Sequence, residues 1–353
     1  MKPYKPGFSI RPTGFRRRLR NAVEASLYWT GAAGLYVRAS GARGAAILGY
    51  HSVPDSSIQR WIDPRCAVPL KIFEAQMEFL ARRRKVVSMS DLVATLERGE
   101  STEPGTVVIT FDDGYRDTLE LAAPVLERHG LPAIVYLSTG VVTRGENQWI
   151  DQLYSAFQFR TNHQLRLDGG DAPSFDLSRD DAVSEAYDSI AGRLLPAHWS
   201  ERKALLAEVT VQLRPSEPPP RLTLSWQEVK ELLRSYPGFE VGVHTREHVD
   251  LTSCGEEAAR TELGSSIADL ARELEVEVEH FAYPYGRSNA QIREIVASAS
   301  LRSAVIGEPV SLIRRGSDRF AMPRIEVRDG MTRFRFQTCG AYPDLPLALL
   351  RRT

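Results

Sequence analysis

Asp112 and Asp113 stand side by side in Thr110–Gly114, TFDDG, directly after the apolar run Val107-Val108-Ile109. His244 and His248 open and close HTREH, near enough in the chain for both imidazoles to reach one metal ion from a single turn. One carboxylate and two imidazoles make three protein ligands, and catalytic zinc sites commonly keep three plus an open position for water. The other carboxylate can then take a proton from that water. This is the outline of a metal-dependent hydrolase. Taken singly, each string has a plainer reading. Asp-Gly after a strand signals a tight turn, and histidines at i, i+4 are more often solvated or packed than metal-bound. Their coincidence with a third string, FAYPYG at Phe281–Gly286, is what narrows the choice.

The elements that must position these residues follow a regular alternation. Apolar runs at Ala45–Tyr50, Thr106–Phe111, Ala133–Leu137, Phe239–Val243, Val278–Tyr283 and Ser303–Ile306 read as buried strands. Helical periodicity is expected over Leu70–Arg83, Asp91–Arg98 behind an N-cap at Ser90, Asp117–His129, Trp226–Arg234, Glu256–Leu274 and Ala290–Ala299. Strands alternating with helices imply βαβ units and a parallel sheet, and this many units favour a distorted (β/α) barrel. Active sites of such folds lie beyond the C-terminal ends of the strands. Asp112, Asp113, His244, the 283–286 segment and His51 all fall there. Residues 141–222 break the rhythm with Asp, Ser and the Pro218-Pro219-Pro220 run, and read as a mostly helical insertion around Trp149–Phe159, Ala182–Leu195 and Glu201–Leu213.

The three strings together resemble the polysaccharide deacetylase family, carbohydrate esterase family four, with a pattern nearest to the poly-N-acetylglucosamine deacetylases. TFDDG matches the family's first motif throughout. His244, Thr245 and His248 match its His-Ser/Thr-x-x-His motif, and Pro284, Tyr285 and Gly286 match part of Arg-x-Pro-Tyr-Gly. Ala282 stands where that third motif has Arg. The resemblance runs over residues 45–140 and 222–327. It implies Asp113, His244 and His248 as ligands of a divalent metal, usually zinc, with cobalt or nickel accepted by the same donors. It implies Asp112 as general base and the Tyr285 backbone N–H as an oxyanion donor. The family's late general-acid histidine has no counterpart here, because no His follows His280. His51, in GYHSV at the end of the first strand, is the candidate acid; the alternative is a packed core histidine. Arg324, in MPRI, is the candidate for the missing guanidinium; the alternative is an exposed Arg at a strand edge. Trp149 with Asp151, and Trp226, are candidates for groove contacts.

Bulk properties set the remaining bounds. A formal net charge of zero over 353 residues gives no reason to expect nucleic acid. The charge is nevertheless uneven: residues 1–43 carry nine basic residues against Glu24 alone, a head of +8 on a body of −8. Three scattered cysteines, Cys66, Cys254 and Cys339, make no disulfide framework. Ala22–Val37 is too short and polar to span a membrane and makes a poor signal peptide. It reads either as an interfacial helix giving peripheral membrane contact through residues 16–38 or as a helix docked on the body. The expected organisation is a basic segment 1–44, a catalytic domain 45–330 holding the 141–222 insertion, and a tail 331–353. A cytoplasmic or membrane-associated enzyme removing N-acetyl groups from amino sugars of a polysaccharide or glycan precursor fits best. A deacylase or deformylase of a lipid-linked sugar, and an inactive carbohydrate-binding homologue, are the competing readings. A metallophosphatase is more remote, since ligands for only one metal are present.

Overall fold

The computed structural model describes residues 26–32, 35, 44–167, 174–309, 311–328 and 330–340. Its strands are β1 (Ala45–Tyr50), β2 (Lys85–Val86), β3 (Thr106–Phe111), β4 (Ala133–Leu137), β5 (Gln164–Arg166), β6 (Ser174–Asp176), β7 (Phe239–Val243), β8 (His280–Ala282), β9 (Ser303–Ile306) and β10 (Met322–Glu326). Seven of them close a parallel barrel in the order β1-β3-β4-β7-β8-β9-β10, with β10 returning to β1. Ile47 pairs with Arg324 on one edge of β1 and with Val108 on the other. The stub β2 takes the start of the free β3 edge (Val86 opposite Val107), and β4 takes its end (Thr110 opposite Ile134). All residues of β1, β3, β4 and β9 are buried, as expected of parallel strands covered on both faces.

Period-2 alternation sorts each strand into an inner and an outer set. Ile47, Val108, Ile134, Tyr136, Ala282, Val305 and Met322 converge on one cluster with Met89, Leu92, Val93 and Leu96 of helix Met89–Glu97. That cluster is the barrel interior, and the helix plugs its N-terminal end. Glu240 and His280, inward-facing at that end, reach the plug: Glu240 accepts from Met89 N–H at 2.9 Å, and His280 Nε2 lies 3.0 Å from Ser90 Oγ. The other parity, including Leu48, Tyr50, Ile109, Phe111, Val135 and Leu137, packs under the outer helices. Continuing the inner parity upward brings His51, Thr110, Asp112, His244 and Arg324 to the C-terminal mouth. Gly242 belongs to this set because a Cβ there would sit 2.7 Å from the Tyr136 ring that fills the barrel.

Several boundaries differ from the sequence expectation. Ser88, not Ser90, caps the plug helix, accepting from Asp91 N–H at 3.0 Å; Ser90 is drawn inward by His280 instead. The helix expected over Asp117–His129 begins as a π segment, Thr118–Ala122, and becomes α only at Ala123–Arg128. Pro124 has no N–H to bond the carbonyl four residues back, which a widened turn accommodates. The segment expected as an insertion forms helices Trp149–Gln158, Asp180–Leu194 and Trp199–Leu213 around a core of its own, which includes Leu153, Phe157, Tyr187, Ile190 and Val209, together with the antiparallel pair β5–β6. Within the expected tail, Met331–Gln337 is a helix whose Phe334 is buried and edge-packed on Phe79 at 6.2 Å. Most of the basic head lies outside the described residues. Among those described, no helix is long and apolar enough to cross a membrane.

Candidate active site

Beyond β3 the ladder extends one residue, Asp112 N–H donating to Tyr50 O at 2.9 Å, before the chain turns sharply. Asp113 and Gly114 both have φ of +70°. A Cβ at Gly114 would meet Leu137 at 2.7 Å, so this turn needs glycine for conformation and for space. Beyond β7, His244 and His248 sit on a loop rather than a helical turn. Thr245 and His248 are left-handed, with φ of +59° and +50°. Such strain at non-glycine residues persists only where surroundings enforce it, and it gathers at functional sites. Here Thr139 and Gly140 N–H groups hold the Thr245 and Arg246 carbonyls at 3.2 and 2.9 Å.

The two imidazoles and one carboxylate meet. Asp113 Oδ1 lies 3.2 Å from His248 Nε2 and 3.7 Å from His244 Nε2, and the three candidate ligand atoms lie within 4.8 Å of one another. The histidine tautomers follow from their other nitrogens. His244 Nδ1 is 2.7 Å from the Ala282 carbonyl, which can only accept, so the lone pair is on Nε2. The Tyr285 hydroxyl donates to His248 O at 3.2 Å and accepts the Trp149 indole N–H at 2.9 Å. It therefore receives His248 Nδ1–H, 3.2 Å away, and again Nε2 is left with its lone pair. Asp113 Oδ1 is buried with no hydrogen-bond partner, and burial raises its carboxyl above the usual range. Burial likewise lowers His248, favouring neutral imidazole. An orphaned carboxylate oxygen facing two imidazole lone pairs is a donor set that fits one divalent cation.

Asp112 has a different environment. Burial alone would raise its carboxyl, but the Arg324 guanidinium, with His244 beside it, holds it well below the usual carboxylate range. The pair is bidentate: Arg324 Nη1 donates to Oδ1 at 2.6 Å and Nη2 to Oδ2 at 2.5 Å. Arg324 also donates to Thr110 Oγ1 at 3.1 Å, whose hydroxyl donates to Leu48 O at 2.9 Å. Arg324 is only 2% exposed and lies within β10. The exposed-edge alternative is thereby removed. His51 Nε2 is 4.0 Å from Asp112 Oδ2, with its side chain partly open to the cleft.

These groups line a cleft of about 950 Å³, walled by Trp149 and Ile150 of the insertion, Tyr285 and Gly286, and Arg333 and Gln337 of the last helix. Tyr285 has φ of +58°, and the hydrogen bonds closing its turn are donated by Gly286 and Arg287, leaving its own N–H unused by the turn. Trp149 reaches the cleft, but Asp151 does not line it. Asp151 is buried behind, accepting from the Tyr115 hydroxyl at 2.5 Å and Asp63 N–H at 2.9 Å, and burial lifts its carboxyl to about 8. Trp226 lines no part of the cleft; its indole N–H bonds Thr143 Oγ1 at 3.1 Å. Two contributors carry no motif and were not foreseen. Gln148 Nε2 donates to Asp113 O at 3.3 Å. Arg202, 4% exposed, donates to the Glu247 and His248 carbonyls at 3.0 and 3.2 Å.

Residues 99–304, more than half of the chain, match the family model described as polysaccharide deacetylase. A 92-residue stretch is 33% identical to YxkH of Bacillus subtilis (strain 168), itself assigned to that family by name; the stretch spans 26% of this chain and 30% of YxkH. Among solved structures, the Streptococcus pyogenes deacetylase PplD, in complex with acetate, superposes with a TM-score of 0.56 at 17% identity, covering 84% of this chain and 97% of that one. IcaB from Ammonifex degensii gives 0.54 at 17% identity, covering 85% and 97%. At such identities the likeness is one of fold, and the fold is the barrel described above.

Proposed function

We propose that this chain, which belongs to the polysaccharide deacetylase family, removes acetyl groups from the amino-sugar nitrogens of a carbohydrate by metal-assisted hydrolysis. The observation that carries the reading is the meeting of the Asp113–His244–His248 donor set with the ionised Asp112–Arg324 pair in one cleft. Asp113, His244 and His248 would hold a divalent ion, zinc being the usual choice for such donors. When bound, the ion polarises the acyl carbonyl and makes water more acidic.

The chain's own residues account for the remaining chemistry. Asp112, kept ionised by Arg324, takes a proton from the attacking water; its Oδ2 lies 3.9 Å from His244 Nε2, beside the ligand cluster. Each of its oxygens keeps a second lone-pair site after accepting from Arg324. The Tyr285 N–H, rigidly presented after Pro284, is placed to receive the developing oxyanion. As the carbon–nitrogen bond breaks, the sugar nitrogen takes a proton from His51 and leaves as an amine, with acetate as the other product. A cleft of about 950 Å³ with Trp149 on its wall suits a sugar of more than one unit. A binding protein would have no use for an ionised base held by a buried arginine, which disfavours the inactive reading.

The test is acetate release from N-acetylglucosamine oligomers before and after chelation, with zinc then restored. Release that stops on chelation and returns with zinc is expected. Release indifferent to chelation would remove the metal from the account.

A further inference from the structure

One face of the molecule lies outside all of this chemistry. It is built from the helical residues 26–29, with Ala32 and Leu35, the end of helix Leu70–Arg83, and helix Met331–Gln337. Leu27 and Tyr28 pack against the core there, so the segment is docked and not trailing. Trp29 and Leu35 nevertheless remain 64% and 66% exposed, two of the three large hydrophobic side chains more than half exposed among the described residues.

The charges around them are unbalanced. Arg82 and Lys85 pair with Glu78 and Glu103. Between them, Arg83 and Arg84 pair with no carboxylate among the described residues, and neither does Arg335. The Arg335 guanidinium lies over the Trp29 ring at 5.3 Å and the Phe79 ring at 5.6 Å, and Arg84 lies over Phe79 at 5.0 Å. Arg84 is half-buried and already donates to the Arg83 carbonyl at 2.9 Å and to the Arg335 carbonyl and Thr338 Oγ1 at 3.4 Å, so it adds charge here and no free donor. Exposed Arg83 beside exposed Trp29 and Leu35, with the half-buried Arg84 and Arg335 adding positive charge, is the composition of a surface that meets anionic lipid: indole at the headgroup level, Arg83 on phosphate.

We infer that this face docks on a bilayer carrying anionic lipids. Charge complementarity selects the occupant: a neutral or cationic partner would leave the positive charge of Arg83, Arg84 and Arg335 unbalanced. The face is also joined to the cleft. Helix Met331–Gln337 presents Arg333 and Gln337 to the cleft wall and Arg335 to this face. Docking there would bring the cleft beside the membrane, within reach of a glycan held at its surface. The docking inference stands on its own observations and does not require the hydrolytic reading.

The test is co-flotation of the full chain with vesicles of phosphatidylcholine alone or equimolar with phosphatidylglycerol, at low and high salt. Binding to the anionic vesicles only, reversed by salt, is expected. Arg83→Glu should weaken it at least tenfold, since a basic residue near an anionic surface contributes roughly fivefold and the reversal removes two charges. Trp29→Ser should weaken it further. Both variants should release acetate from soluble oligomers at the wild-type rate, which controls for folding and separates this test from that of the hydrolytic reading. Equal binding to both vesicle types, no binding, or binding untouched by the two substitutions would overturn the inference. So would self-association of the chain, abolished by the same substitutions, in place of vesicle binding.

Discussion

Arg324 holds Asp112, the proposed base, ionised. A fully buried carboxylate is costly unless paired, and removing one partner of a buried ion pair typically costs about 3–5 kcal/mol because the other charge is left behind. Arg324→Met should therefore destabilise the fold by about that amount, measured by denaturant unfolding. It should also move the acid limb of the pH–rate profile to higher pH. In the wild type the guanidinium holds Asp112 ionised far below neutrality; without it, burial raises the carboxyl and the base is lost earlier as pH falls. Arg324→Lys keeps the charge but not the two-pronged contact, and should fold well while lowering kcat about 10–100-fold, the usual loss when a partner that orients a functional group is removed. An unchanged acid limb in Arg324→Met would mean that Asp112 is not the titrating base.

At the scale of elements, helix Trp199–Leu213 is tied to the loop that carries His244 and His248. Arg202, on helix Trp199–Leu213, also donates to the Leu194, Leu195 and Ala197 carbonyls at 3.1–3.3 Å and lies 5.4 Å over the Trp149 ring. It thus fixes the backbone of His248 from behind while Tyr285, itself held by the Trp149 indole, fixes its ring. Arg202→Met is expected to weaken zinc binding about 10–100-fold, read by competition against a chromophoric chelator. Affinity equal to wild type would show that the insertion only covers the cleft. Nothing in the sequence marks Arg202, because its partners are backbone carbonyls brought together only by folding. The long apolar strands were legible because burial on both faces demands continuous apolar runs. The two-residue β2 and the polar three-residue β5 and β6 lack that signature. β10 carries Pro323 and Arg324, and its arginine is tolerated inside only because Asp112 neutralises it.

At the scale of the whole molecule, closure of the barrel gathers residues more than 200 positions apart, Asp112 and Arg324 among them. The inner parity that fills the barrel with Ile47, Val108, Tyr136 and Met322 is the same parity that ends in His51, Asp112, His244 and Arg324. The strands therefore supply packing below and the candidate site above with one alternation. That His51 and Asp112 share the C-terminal mouth could be anticipated from strand ends alone, whereas the left-handed turns at Asp113, Thr245 and His248 could not. The most direct test of this division of labour is a paired measurement of zinc binding and acetate release in Asp112→Asn and Asp113→Asn. Asp112→Asn is predicted to bind one zinc with near wild-type affinity yet lose about 10²–10⁴-fold in rate, the range expected for a general base. Asp113→Asn is predicted to lose the metal and the activity together. If Asp112→Asn instead loses the metal, or either variant turns over at the wild-type rate, the assignment of base and ligand is wrong.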